Sequence, residues 1–353
     1  MHDDEEGKEP GALADPDVRV TMRDIARQAG VHTSTVSRVL NQPALTSSRT
    51  PTAVKIRKIA EELGYEPDHW AASLRSGRTR TVGVVMSRLS DVVVATVYEA
   101  VERTLSESGF HALLVGAGDE PHAQRRKADL LLGRRVDGLL LGASRLDDTF
   151  LEQLRRREVP YVLVLRSSGD HPSVTIDDEL GGFLAGRHLL ERGHRRVGLV
   201  AGPQYTSTGR DRRRGFLRAF AEGGAPVSPD HIVEAGFHVE AGYRAAQALM
   251  SRPDPPTGIF AMTDYSALGV IGACRDRGLR VGRDYALVGY HDMSISPQLS
   301  IPLTSLHSPL DEIGGHAARL LLRRVAGEDF ESVRLAPTLR VRESSSVSWP
   351  IPS

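Results

Sequence analysis

Residues 20–41 read VTMRDIARQAGVHTSTVSRVLN. Thr21 followed three residues later by Asp24 resembles a capping box, in which hydroxyl and carboxylate satisfy N–H groups left free where a helix opens. Met22, Ile25, Ala26 and Ala29 then fall on one helical face, and Gly30 supplies the stop. A second helix resumes almost at once. It carries Val36, Val39 and Leu40 inward and leaves His32, Thr33, Ser34, Ser37 and Arg38 outside. Two short helices joined by a tight turn at Gly30-Val31 form a helix-turn-helix pattern, whose exposed second-helix residues are placed to reach base edges in a DNA major groove. A merely solvated polar face has the same pattern.

Further along, Thr52 opens a third helix with Val54, Ile56, Ile59, Ala60 and Leu63 at helical spacing and Gly64 at its end. Residues 65–68 make a turn, after which Asp68 caps a short segment through Ala71, Ala72, Ser73 and Leu74 and a basic run, RSGRTR, at residues 75–80. That segment is too short to hold a helix alone.

The formal net charge is zero, but it is unevenly spread. Residues 1–17 hold seven acidic residues and one lysine, whereas residues 18–80 hold eleven basic and five acidic ones. An acidic leader, expected to be disordered, thus precedes a basic module able to neutralise phosphates. The chain's 353 residues exceed what one core usually organises, so several domains are expected. A single cysteine, Cys274, excludes an intrachain disulfide framework and fits a reducing cytoplasm. The N-terminus lacks the apolar region of a secretory signal, and no run approaches a membrane span. The expectation is a cytoplasmic protein without membrane attachment.

From Thr81 the period changes, and short apolar runs alternate with longer amphipathic stretches, as in a parallel sheet with crossover helices. Strands are predicted at 82–86, 112–116, 136–141, 161–165, 197–201, 232–235, 258–262 and 286–289, with a break at 173–178 and a returning segment after Leu303. This reads as two similar lobes rather than one sheet.

The opening motif, its continuation AVKIRKIAEELGYEPDHWAASLRSGRTRTVGVV, and the later runs RHLLERGHRRVGLVAGP, DRRRGFLRAF, IFAMTDYSALGV, ALVGYHD and PLTSL closely resemble the lactose-repressor/galactose-repressor family over roughly residues 18–345. The resemblance implies an all-α helix-turn-helix head followed by an α/β periplasmic-binding-protein-like core of two doubly wound parallel-sheet lobes. It further implies a head at 18–66, a hinge at 67–80 and a core at 81–345, followed by a tail at 346–353. Within the core, the N-lobe takes about 81–175 and 309–335, and the C-lobe about 177–305 and 336–345. The function implied is a sequence-specific transcriptional regulator, a repressor, acting as a homodimer on a roughly palindromic double-stranded DNA operator. A small molecule between the lobes, either a sugar derivative or an anionic metabolite, controls it.

By position, Thr33, Ser34 and Arg38 match groove-reading residues, and Met22, Thr35, Ser37 and Asn41 match backbone-contacting or supporting ones. Leu74 matches a residue that wedges into the minor groove, with Ala71 along it and Arg75 nearby; such a wedge costs unstacking and gains wider contact with bent DNA. In the core, Arg212 matches an effector-contacting arginine and Phe237 an aromatic platform, while Asp91 and Val93 face the cleft. His291 and Thr263 stand where relatives carry Asp and Asn, and Leu165 where some carry Asp. With Arg212 close by, these changes predict a more positive site that prefers an anionic or strongly accepting ligand. His32 replaces the family's serine at the second helix start, which predicts a weakened cap.

Other classes fit less well. Val115-Gly116-Ala117-Gly118 has the start of a dinucleotide loop, but Pro121 stands at the third glycine. No nucleophile elbow, Walker loop or metal-binding histidine motif is present, so neither an enzyme nor a cofactor is expected. A transport binding protein would need a signal peptide and no head. A ligand-independent regulator of the same fold is the alternative kept, and the tail carries no heptads for a tetramer.

Overall fold

The computed structural model describes residues 20–40, 50–65, 78–118, 120 and 122–346. The acidic leader, Asn41, the hinge residues Ala71, Leu74 and Arg75, and the final seven residues lie outside this set. The chain divides into two compact units, residues 1–77 and 78–353.

In the first unit, α1 (Met22–Ala29), α2 (Thr33–Leu40) and α3 (Pro51–Glu62) close around Ile25, Ala26, Ala29, Val36, Ile56, Ile59 and Ala60. The Asp24 carboxylate accepts from both the Thr21 N–H (3.0 Å) and hydroxyl (2.6 Å), which holds its pKa down. Gly30, at φ 70°, ends α1 in the left-handed region open to glycine. Helix α3 begins one residue earlier than expected, because Thr50 caps it by accepting from Ala53 N at 3.3 Å. Ala53 shares the buried face with Ile56, Ile59 and Ala60, whereas Val54, about 200° round the helix from Ile56, is 55% exposed and not part of that face as expected.

The second unit contains two six-stranded sheets. The first uses β1 (Thr81–Met86), β2 (His111–Gly116), β3 (Gly138–Leu141), β4 (Tyr161–Leu165), β5 (Ser173–Ile176) and a late strand, β11 (Val333–Leu335). Their order is β11-β5-β4-β3-β1-β2, all parallel. Helices α4 (Val92–Glu107), α5 (Ala123–Gly133), α6 (Phe150–Arg156) and α11 (Leu310–Val325) belong to this lobe.

The second sheet uses β6 (Val197–Ala201), β7 (Ile232–Glu234), β8 (Gly258–Ala261), β9 (Ala286–His291), β10 (Thr304–His307) and β12 (Thr338–Arg340). It repeats the first sheet's order as β12-β10-β9-β8-β6-β7, with only β12 antiparallel. Its helices are α7 (Asp178–Glu191), α8 (Ser207–Glu222), α9 (Val239–Met250) and α10 (Asp264–Asp276). Central strands such as β4, β6 and β9 are buried along their whole length, as apolar runs between helical layers must be.

The division between lobes expected at 173–178 falls at the end of that stretch, but Ser173–Ile176 was not expected as a strand and forms the buried β5, which runs directly into α7. Its short SVTI run carries two hydroxyls, which masks the apolar signal, yet the strand pairs on both edges. The chain passes between lobes at 176–178, 307–310 and 335–338. No helix among the described residues is long and apolar enough to cross a membrane.

Candidate functional site

On the head, α2 presents His32, Ser34 and Arg38 exposed and Thr33, Thr35 and Ser37 half-buried, while Val36 enters the core. Met22 is half-buried against that core. The α2 cap, expected to be weakened, is still made. His32 Nδ1 accepts from Ser34 N at 3.3 Å and meets Ser34 Oγ at 2.8 Å, so the imidazole itself takes the capping position. Arg38 and Ser34, one turn apart, share the outward face with Thr33 and Ser37.

In the core, both sheets point the carboxyl ends of their strands at one cleft, the position where open parallel sheets bind ligands. A solvent-open cavity lies there. One lobe contributes Asp91 and Val93 at the start of α4, and Leu165 and Arg166 at the end of β4. The other contributes Arg212 from α8, Phe237 beyond β7, and His291 at the end of β9. Five of the six core residues expected at the site therefore meet: Asp91, Val93, Arg212, Phe237 and His291.

Thr263 does not line this cavity. Its hydroxyl accepts from Ser266 N (3.0 Å) to cap α10 and donates to the Phe237 carbonyl (3.3 Å), so it fixes the segment that carries the aromatic ring. Arg166, 6% exposed, lines the cavity and was not singled out from sequence. Its signal was its place immediately after the predicted strand at 161–165.

Arg212 is 2% exposed and already engaged. Its Nε donates to Asp178 Oδ1 at 2.7 Å and its Nη1 to the Met262 carbonyl at 2.5 Å, and its guanidinium lies 3.7 Å over the Tyr290 ring. Two glycines allow this geometry. A Cβ on Gly182 would stand 2.0 Å from the Arg212 carbonyl oxygen, and one on Gly215 would stand 1.9 Å from the Glu179 carbonyl oxygen. Only bare backbone lets α7 and α8 cross so closely, which sets Asp178 beside Arg212. Burial drives the Asp178 carboxyl up, and Arg212 pulls it back.

His291 is 7% exposed, with Nδ1 3.1 Å from Ser308 Oγ and its ring edge-on to Tyr290. Burial, reinforced by Arg212, lowers its pKa well below the ordinary value, so it is neutral at physiological pH. Neither residue supplies the free positive charge expected of it: Arg212 carries its counter-charge in Asp178, and His291 is neutral, leaving Arg166 as the further cation on the lining. Asp91 contributes an acceptor; burial raises its pKa, with Val93 N–H and nearby arginines opposing. His291 at φ 100° and Leu165 at φ 66° hold left-handed backbone that side chains rarely adopt, and both line the cleft.

A helix-turn-helix unit followed in the chain by a two-lobed core with a cleft at the carboxyl ends of its strands defines a ligand-responsive DNA-binding regulator. Residues 21–68 match the profile of bacterial regulatory proteins, lacI family, and residues 187–345 match that of a periplasmic binding protein-like domain. The HTH-type transcriptional repressor PurR of Klebsiella pneumoniae (strain 342) is 34% identical over 330 residues, covering 92% of this chain and 96% of that one. A PurR of Escherichia coli O139:H28 matches equally over the same length. Among solved structures, a Lac repressor dimer bound to operator and the anti-inducer ONPF superposes with TM-score 0.83 at 26% identity, covering 93% of this chain and 99% of that one. A CelR-cellobiose complex gives 0.70 at 34% identity, covering 92% and 100%. The chain belongs to the lacI family of bacterial regulatory proteins: it is a DNA-binding transcriptional repressor with a ligand-binding core.

Proposed function

We propose that this chain acts as a homodimer on a roughly palindromic operator, with Thr33, Ser34 and Arg38 reading bases. Met22, His32, Thr35, Ser37 and Asn41 support that contact, and Ala71, Leu74 and Arg75 engage the minor groove from the hinge. A small molecule in the cleft sets operator affinity by favouring one arrangement of the lobes, and by linkage DNA alters the affinity for that molecule.

The ligand class that fits is a neutral, oxygen-rich molecule of the sugar type, which replaces the anionic preference. One observation carries this: Arg212 is already paired to Asp178, the lining includes the Asp91 carboxyl alongside Arg166, and Phe237 offers an apolar face. Such a lining supplies both donors and acceptors to hydroxyl groups without leaving a buried charge that demands a counter-ion. The cellobiose of the CelR complex and the ribose of an Enterococcus faecium relative support the same class.

Thermal unfolding of the full chain with ribose, glucose, cellobiose, citrate and inorganic phosphate tests the reading. A ligand that binds only the folded state raises the melting temperature, by about 2.7 kcal/mol of stabilisation at a hundredfold excess over Kd. Stabilisation by a neutral sugar is expected. Stabilisation by the anions alone would overturn it.

A further inference from the structure

At the strand ends away from the cleft, the first lobe gathers arginines on one edge. Strands β1, β3 and β4 lie side by side, with Val82 opposite Gly138 and Leu139 opposite Tyr161. The turns that precede them, at 78–80, 133–137 and 155–160, are therefore neighbours. Together they hold seven arginines against two carboxylates, Asp137 and Glu158. Asp137 accepts from Thr79 N and Arg80 N, both at 2.8 Å, and the Thr79 hydroxyl donates to the Arg135 carbonyl at 2.8 Å. These bonds seat the first residues of the core on this edge.

Arg155 pairs with Asp170 and Arg157 with Asp129. Arg80, Arg134, Arg135 and Arg156 are exposed, and among the described residues no hydrogen bond or ion pair engages their guanidinium groups. Two of the four also stand in left-handed backbone, Arg80 at φ 51° and Arg135 at φ 58°. After α4, α7, α8, α10 and α11 the left-handed residue is a glycine, whereas after α5 and α6, on this edge, it is Arg135 and Glu158. Such backbone strain in a residue with a side chain clusters where that side chain is used. A cation at the end of a helix is favoured by the helix dipole, which favours Arg134, Arg135 and Arg156 but does not explain Arg80, at the head of β1.

Chain length ties the edge to the operator. Residue 78 follows Arg75 by three residues, and three residues of extended chain span at most about 11 Å. A hinge that engages DNA through Arg75 therefore holds the start of this edge within that reach of Arg75, and the densest anion there is the phosphate backbone of the same duplex.

We propose that this edge of the core is a further DNA contact, in which Arg80, Arg135 and Arg156, one from each turn, neutralise phosphates flanking the bases bound by head and hinge. Contacts of this kind add affinity and carry no sequence information. The proposal rests on the engagement of DNA by head and hinge and adds to it a surface of the core.

Salt titration of full-chain binding tests it, on an operator selected from random duplexes and flanked on each side by about one helical turn of DNA. Each phosphate contact contributes about 0.9 to the slope of log affinity against log salt. Arg80→Gln/Arg135→Gly/Arg156→Gln should flatten that slope by about 3 per protomer while leaving discrimination between the operator and its single-base variants unchanged. Glycine suits the left-handed backbone at 135, so that substitution removes the charge without straining the turn. Arg80→Lys/Arg135→Lys/Arg156→Lys keeps the charges and should keep the wild-type slope. Arg244→Gln/Arg252→Gln/Arg340→Gln removes three exposed arginines of the second lobe and should keep it too.

An unchanged slope in the first variant, or an equal flattening in the lysine or second-lobe variants, would overturn the arginine edge while leaving the head and hinge reading in place. Failure of the full chain to select any operator would overturn both.

Discussion

Replacing Arg212 by methionine keeps most of the side-chain stem but removes the guanidinium that Asp178, the Met262 carbonyl and the Tyr290 ring all share. Asp178 and Arg212 are 6% and 2% exposed, so the loss leaves a carboxylate in low dielectric without its partner. Breaking one side of such a pair typically costs about 3–5 kcal/mol. At about 2 °C per kcal/mol for a unit of this size, Arg212→Met should melt roughly 6–10 °C below wild type. Asp178→Leu should lose a similar amount, because an arginine is then left unpaired. The double variant should recover much of it, since apolar replacement of both partners of a buried pair is often neutral. Sugar binding should be lost in Arg212→Met and stay lost in the double variant, which separates the structural from the ligand role. The measurement is thermal or urea unfolding of all four proteins, with calorimetry on each. If the double variant loses the plain sum of the two single losses, Asp178 is not what holds Arg212, and the paired-charge argument for a neutral ligand fails with it.

Two buried groups in the second lobe should impose opposite pH dependences. His188, hydrogen-bonded to Ser345 Oγ at 2.7 Å, has its pKa lowered by burial to about 4. Its contribution is complete above about pH 6.5 and is lost as pH falls toward 4, by at most about 3 kcal/mol. Asp264 accepts from Met293 N, Ser296 Oγ and Ser305 Oγ, yet burial raises it to about 6. Folding therefore favours its protonated form, and its contribution is complete below about pH 3.8 and lost as pH rises through 6. Asp264→Asn removes that loss, so unfolding measured at pH 4.5 and 6.5 should show the variant gaining on wild type at the higher pH; a constant difference would refute the titration. On the head, Arg38→Ala should cost about 1–3 kcal/mol on the cognate operator and far less on random DNA in binding titrations at fixed salt, whereas equal losses would assign Arg38 to the phosphates.

What the sequence made legible were features decided within a turn or two of chain. Thr21 and Asp24 cap α1 as their spacing predicts, Gly30 ends it, and Val36 turns inward. The alternation of short apolar runs with amphipathic stretches marked both lobes, because strands buried on both faces must be apolar throughout. It failed at β5, where Ser173 and Thr175 are tolerated inside because β4 and β11 pair the backbone on both sides. Val54 was misplaced for a different reason: it stands two residues before Ile56, about 200° round the helix, and so cannot share the face of Ile56, Ile59 and Ala60.

The cleft was harder to read because its electrostatics are non-local. Arg212 announces its charge in the sequence, but its counter-charge lies 34 residues away and reaches it only through the α7–α8 crossing at Gly182 and Gly215. The same non-local pairing bears on how a bound ligand could be felt elsewhere in the core. Asp178 directly follows Asp177, whose N–H donates to the Leu335 carbonyl at 2.8 Å, joining two of the strands of chain that pass between the lobes. A ligand that draws on Arg212 therefore acts on a side chain anchored one residue from the crossing itself. A group placed there can distinguish two lobe arrangements by its own hydrogen bonds, and that difference in contact is what an effector needs in order to shift their populations.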